Sequence, residues 1–191
     1  MMIPKNMKDK TIGILGLGIS GKSAFKCLEA VGSKVYAYDD NTSSDLLVTN
    51  PNKWPWYELD QIIVSPGIPL THPLIKKAKK LKIQINNEID IFARSFPKAK
   101  VIGVTGTNVK STTTSLLGHI ISFNGFKVQV GGNIGKAASS LTDPGKDGFI
   151  VLELSSFQLE TCKDLVLDGA IILNITPDHI EWHGNLNNYY N

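Results

Sequence analysis

Short apolar runs recur along the chain at the spacing of strands, and amphipathic stretches fall between them. Runs with strand character are TIGILGLG, SKVYAYD, QIIVSPG, KIQI, KVIGVTG, KVQVGG, GFIVLELSS and DGAIILNIT. Helical patterns cover Ser20 to Val31, His72 to Lys80, Glu88 to Ser95 and Lys110 to Asn124, with weaker ones after Ile134 and Phe157. Alternation of strand and helix from end to end predicts an α/β fold with parallel sheets and crossover helices. The helix before Pro97 ends in RSFPKAK, where proline forbids continuation and a new apolar strand follows. That places a boundary between a first unit, residues 1–97, and a second, residues 98–191, each opening with its own glycine-rich strand-to-helix turn. The second unit reads as unfinished, because NLNNYYN looks like the start of a helix, and the expectation is a fragment of a longer protein.

Composition narrows the class. A chain of 191 residues with 42% hydrophobic and 19% charged residues is ordinary for a globular protein. Residues 1–97 carry thirteen Lys and Arg against nine Asp and Glu, and the remainder seven against eight. Arg94 is the single arginine, and the local excess is the lysine run of HPLIKKAKKLKI. Base readout and bidentate phosphate clamps rely on arginine. The lysines therefore read as the wet face of a helix with Leu74, Ile75, Ala78 and Leu81 inward, and no nucleic-acid partner is expected. Cys27 and Cys162 have no CxxC partner, which argues against a disulfide framework or structural zinc and suits a reducing cytoplasm. No apolar run reaches the roughly 18 residues of a membrane helix, so no membrane partner is expected.

Two loops carry the chemistry. GILGLGISG sets Gly16, Gly18 and Gly21 in G-x-G-x-x-G spacing after a strand and before a helix. Such a loop lets the backbone approach a diphosphate and offers it the N–H groups of a helix start. Asp39 ends the next strand, placed to accept from a ribose or base, and Ser65 and Gly67 of VSPGIP fall at the carboxyl edge, where doubly wound sheets bind ligands. Alone, the glycine spacing also fits mere helix-to-strand packing, or a nicotinamide-dependent oxidoreductase.

The second loop is TGTNVKSTTT. Gly106 turns out of a strand, Lys110 is placed to meet phosphate, Ser111 to ligate Mg²⁺, and threonines open a helix. The G-x-x-x-x-G-K-[ST] pattern fails at Val104 and Val109. A β-branched residue held at positive φ costs on the order of 1–3 kcal/mol, so Val109 is expected to weaken nucleotide binding without abolishing the fold. Glu153, ending an apolar strand in FIVLELSS, sits where a second acidic metal ligand of a P-loop ATPase belongs. Ser155 and Ser156 lack the G-x-S-x-G elbow of a serine nucleophile.

In order and spacing, GLGISG, SPGI, GVTGTNVKSTTT, GGNIG, LELSSFQLE and LNITPDHIEWHG resemble the Mur ligases. Within that family, SSFQLE and the DH of NITPDHIEWHG favour the member that joins D-glutamate to UDP-N-acetylmuramoyl-L-alanine in cytoplasmic peptidoglycan precursor synthesis. The resemblance implies a Rossmann-like UDP-binding domain followed by the first part of the central ATPase domain. It also implies ATP and Mg²⁺ as cofactors, and a monomer. Gly18, Ile19, Ser20, Asp39, Ser65 and Gly67 would surround the UDP part of the substrate. Gly106, Thr107, Asn108, Lys110, Ser111 and Thr112 would wrap the ATP phosphates. Asn133 and His179 would touch substrate, Ser111, Glu153 and His179 would hold metal, and Lys110, Glu153 and His179 would serve catalysis. The chemistry is coherent: a carboxylate is a poor acylating agent, so ATP converts it to an acyl phosphate, which an amine then attacks with loss of phosphate. Departures are Val109 for glycine, Asp40 where a hydroxyl is common, and DHIEWHG for DHLDRHG. The family's carbamylated lysine and the domain that takes D-glutamate fall outside the chain, so ligation by this chain alone is not expected. The competing expectation is a non-catalytic nucleotide-sugar-binding remnant.

Overall fold

The computed structural model describes residues 3–41 and 48–190, so the first two residues of the polar N-terminal segment and the last residue of NLNNYYN lie outside it. Two compact units result. One comprises the chain through Phe96 together with Ala137–Ser140 and Thr161–Leu165, and the other holds the rest.

The first unit is a four-stranded parallel sheet built from β1 (Thr11–Leu15), β2 (Lys34–Tyr38), β3 (Gln61–Val64) and β4 (Gln84–Asn86), in the order β2-β1-β3-β4. β3 is buried throughout and β1 from its second residue, as expected of parallel strands covered on both faces. On one side α1 (Ile19–Ala30) packs Ala24, Phe25, Cys27 and Leu28 into a core with Ile12, Ile14 and Ile63. On the other, Trp54 and Trp56 join Leu15, Ile62, Ile75 and Ala78. A Cβ on Gly13 would lie 2.6 Å from the Trp54 ring, so a glycine in β1 admits the indole. α2 (Pro73–Lys80) turns Ile75 and Ala78 inward and its lysines out, and Lys77 Nζ stands 4.1 Å from the Trp56 ring centroid. α3 (Glu88–Ala93) begins with a capping box: Asn87 Oδ1 accepts from Ile89 N at 2.9 Å, and Asp90 Oδ2 accepts from Asn87 N at 3.1 Å.

Two short segments complete this unit. Ser139 N donates to the buried Glu88 carboxylate, Ser139 Oγ is 2.7 Å from Ser23 Oγ, and Cys27 Sγ donates to Ser139 O at 3.3 Å. Asp90 Oδ1 accepts from Lys163 N at 2.8 Å and Asp164 N at 2.9 Å, and Arg94 Nε meets Asp164 Oδ2 at 2.6 Å.

The second unit holds β5 (Lys100–Thr105), β6 (Val128–Gly132), β7 (Phe149–Glu153) and β8 (Gly169–Ile172), all parallel, in the order β6-β7-β5-β8. Its helices are α4 (Lys110–Phe123), α5 (Ser156–Thr161), α6 (Ile180–His183) and α7 (Leu186–Tyr190). Val104, Ile121 and Val151 centre its core. All eight strands and four principal helices of the sequence reading are present. The weak pattern after Ile134 is only a 3-10 turn, Ala138–Ser140, and α6 had no counterpart in the reading.

Candidate functional site

Both sheets reverse their direction of growth next to the strand that carries the glycine loop. β1 has β2 on one side and β3 on the other, and β5 has β7 and β8. Such switch points open a crevice at the carboxyl ends of the strands.

In the first unit Gly16 turns at φ 89°, and its N–H donates to Tyr38 O at 2.8 Å. Ser65 Oγ donates to Gly16 O at 2.9 Å, which ties the loop after β3 to the loop after β1. A Cβ on Gly21 would lie 1.9 Å from Gly16 O, so this glycine is fixed by close approach. Gly18 and Gly67 face open space, Ile19 is 72% exposed, and no side chain caps α1. The first-turn N–H groups at Ile19 and Ser20 therefore stand at an open edge. Asp39 Oδ2 accepts from Leu17 N at 2.6 Å and Oδ1 from Asn41 N at 2.9 Å, so the carboxylate also braces the loop. Asp40 pairs with His72 Nε2 at 3.1 Å, while His72 Nδ1 caps α2 through Leu74 N at 3.2 Å. The sequence reading gave His72 no role.

In the second unit the chain leaves β5 through Gly106 at φ 146° and enters α4 through Val109 at φ 68°, ψ 9°. Valine stands in the left-handed region, as the sequence argument anticipated, with 60% of its surface exposed. Lys110 Nζ curls back to Gly106 O at 2.7 Å and Thr107 O at 3.0 Å. α4 has no side-chain N-cap, so the N–H groups of Lys110, Ser111 and Thr112 lie open to an anion. Thr107 and Asn108 are turned toward the segment after β8: Thr107 N donates to Asn174 O at 3.1 Å, and Asn108 N to Asn174 Oδ1 at 2.8 Å.

Glu153 ends β7, the strand beside β5, and is buried. Its Oε1 accepts from Asn133 Nδ2 at 3.1 Å, and its carbonyl from Asn133 N at 2.9 Å. Gly132, at φ 96°, brings the GGNIG backbone so near that a Cβ there would lie 2.3 Å from Glu153 O. Glu153 Oε2 is buried without a hydrogen-bond partner. An orphaned carboxylate oxygen is costly unless a cation completes it. His179 adopts φ 51°, packs on Phe157 with ring centroids 4.7 Å apart, and stands 3.5 Å from Asp178. No hydrogen bond joins it to Glu153. Among the described residues no group of three or more His, Cys, Asp and Glu is arranged to hold a metal. His183 bonds Ser156 Oγ at 3.0 Å, and burial pushes its imidazole pKa below the usual histidine value, with Glu160 opposing and His179 adding to the fall.

A cavity of about 320 Å³ lies beside this loop, lined by Gly106, Asn174, Ser156, His183 and Tyr189. A larger one, about 480 Å³, lies at the amino edge of the first sheet, where Lys10 pairs with Asp60 and Arg94 with Asp164. In that larger cavity Lys10 and Arg94 already pair with acids, and Lys5 lies over the Phe96 ring. The sequence reading missed Asn174, Thr176 and Tyr189. The available signal was position: LNIT follows the strand that runs beside β5.

Two glycine loops at two switch points, the second with a lysine and a buried acid on the neighbouring strand, define an α/β protein whose second sheet has the layout of a P-loop fold. Residues 104–191 match the Mur ligase middle domain, and residues 1–82 match the NAD-binding domain of D-isomer specific 2-hydroxyacid dehydrogenases. The chain is 39% identical over 95% of its length to the UDP-N-acetylmuramoylalanine–D-glutamate ligase of Wolbachia pipientis. It is 38% identical over 98% to that of Brucella abortus, and 40% over 96% to that of Paramagnetospirillum magneticum. The chain is thus a homologue of the Mur ligases, and spans 38%, 44% and 42% of the length of these three relatives. The fold agrees with that of a solved UDP-N-acetylmuramate:L-alanyl-γ-D-glutamyl-meso-diaminopimelate ligase of Neisseria, at TM-score 0.57 and 17% identity over 94% of this chain and 65% of that one. It agrees likewise with the UDP-N-acetylmuramate-alanine ligase of Thermotoga maritima, at 0.53 and 24% over 94% of this chain and 45% of that one.

Proposed function

We propose that the chain carries the UDP-sugar and ATP sites of a ligase that adds D-glutamate to UDP-N-acetylmuramoyl-L-alanine through an acyl phosphate. The observation that carries this reading is the second loop: Lys110 and the open start of α4 at the end of β5, with Glu153 Oε2 unpartnered at the end of β7. The first loop would take the UDP end of the substrate through the start of α1, Ser65 and Gly67. Lys110 would leave its carbonyl partners to meet the triphosphate, while the N–H groups of Lys110, Ser111 and Thr112 hold the phosphates in line.

Mg²⁺ fits the residues present. This ion takes one or two protein oxygens and completes its shell with phosphate and water, which agrees with the orphaned Glu153 oxygen and the Ser111 hydroxyl. Bound there, it would neutralise phosphate charge. Asn133, held on Glu153, would reach the muramoyl arm, and His179, packed on Phe157, the reacting carboxylate.

The match of residues 1–82 to dehydrogenases favours a second reading, in which the first loop takes a dinucleotide. Calorimetric titration separates the two. UDP-N-acetylmuramoyl-L-alanine is expected to bind saturably and NAD to give no saturable heat; the reverse result would replace the first reading by the second.

A further inference from the structure

The phosphate loop does not keep all its donors for a ligand. Thr107 N–H is spent on Asn174 O at 3.1 Å, and Asn108 N–H on Asn174 Oδ1 at 2.8 Å. Asn174 Nδ2 returns a bond to Asn108 O at 3.2 Å, so one amide side chain pairs with both polar groups of one peptide residue. The Thr107 hydroxyl is saturated as well. It lies 3.0 Å from Thr176 O, accepts from Thr176 N at 2.9 Å and stands 2.8 Å from Tyr189 Oη. With its single hydrogen on the Thr176 carbonyl, it takes Tyr189 as a second donor. The segment is also packed hard on the loop: a Cβ on Gly106 would lie 3.2 Å from both Asn174 N and Asn174 O. Among the described residues no comparable segment bonds the N–H groups of Lys110, Ser111 and Thr112, and α4 has no side-chain N-cap.

We infer that Asn174, backed by Thr176 and Tyr189, is a positioning residue for the phosphate loop. It withdraws the Thr107 and Asn108 N–H groups from phosphate binding and fixes the loop so that phosphate is received by the N–H groups of residues 109–112 and by Lys110. This rests on the reading of the loop as a triphosphate site. The arrangement is pre-organisation: a loop already held in shape loses little freedom when the anion arrives.

Amide exchange of the full chain tests this without mutation. In the ligand-free protein Thr107 and Asn108 amides are expected to be protected while those of Lys110, Ser111 and Thr112 exchange quickly. Mg-ATP is expected to add protection at residues 109–112 and leave 107 and 108 unchanged. Protection appearing at Thr107 and Asn108 only on adding Mg-ATP overturns the inference. No added protection anywhere in 106–112 overturns the ATP reading itself.

Two variants supply a signature that a merely structural role would not give. In Asn174→Asp the carboxylate faces the Asn108 carbonyl, and Mg-ATP affinity is expected to fall about tenfold against wild type at pH 8. Protonation restores an O–H donor in place of Nδ2, so the deficit should narrow toward pH 5. Asn174→Leu should show the deficit at both pH values. Equal affinity of both variants and wild type across that range would refute the assignment. Should the variants fail to fold, the exchange pattern of the wild type decides.

Discussion

At the scale of single residues the site turns on Val109. Its φ of 68° puts a β-branched side chain in a region that costs on the order of 1–3 kcal/mol, and its exposure means that little packing offsets the strain. Glycine would relieve the strain and return about 0.5–1 kcal/mol of it as added freedom in the unfolded chain. Val109→Gly is therefore expected to raise stability by about 1 kcal/mol in urea denaturation, and a loss of stability would show that the valine is held by contacts after all. The conformation was legible in the sequence because a strand-to-helix turn with lysine next in line demands it whatever residue is present. The roles of Thr107 and Asn108 were less legible. The same turn places them near phosphate, and only the register of β8 beside β5 shows that their N–H groups are taken by Asn174.

At the scale of elements, strands and principal helices followed from periodicity, because buried parallel strands and amphipathic helices must write their burial into the sequence. The segment at Ala138–Ser140 was only weakly legible, since beside its buried Ala137, Ala138 and Leu141 a buried carboxylate helps to hold it. Glu88 on α3 is buried beside it, with Oε1 on Ser139 N and Oε2 unpartnered. Burial raises its carboxyl above the usual 4.5, against the lowering effect of the Ser139 and Ala138 hydrogen bonds. The folded state thus binds the Glu88 proton more tightly than the unfolded chain. Stability should fall as pH rises from about the unfolded value through the folded one, and stay lower above it. Glu88→Gln keeps an acceptor for Ser139 N and removes the charge. It is expected to flatten that slope in denaturation measured from pH 4 to 8 and to gain on the order of 1–3 kcal/mol at pH 7. A variant less stable than wild type at pH 7 would show that the charge itself holds the segment.

At the scale of the whole molecule, the strands of the first sheet precede Pro97 and those of the second follow it. The compact units are not two consecutive stretches, however. Ala137–Ser140 and Thr161–Leu165 belong with the chain through Phe96, where they bond to Glu88, Asp90 and Arg94. Nothing local in GKAASS or TCKDL announces this, because their partners lie some tens of residues away in sequence. Among the described residues no helix is long and apolar enough to cross a membrane. The account comes together in the claim that the loop from Gly106 to Thr112 receives ATP, and calorimetric titration of Mg-ATP into the wild type, Val109→Gly and Lys110→Ala chains tests it most directly. Weak saturable binding by the wild type, at least about tenfold tighter with glycine and lost with alanine at unchanged melting temperature, is the expected result. No binding even by Val109→Gly, or equal binding by Lys110→Ala, would contradict it.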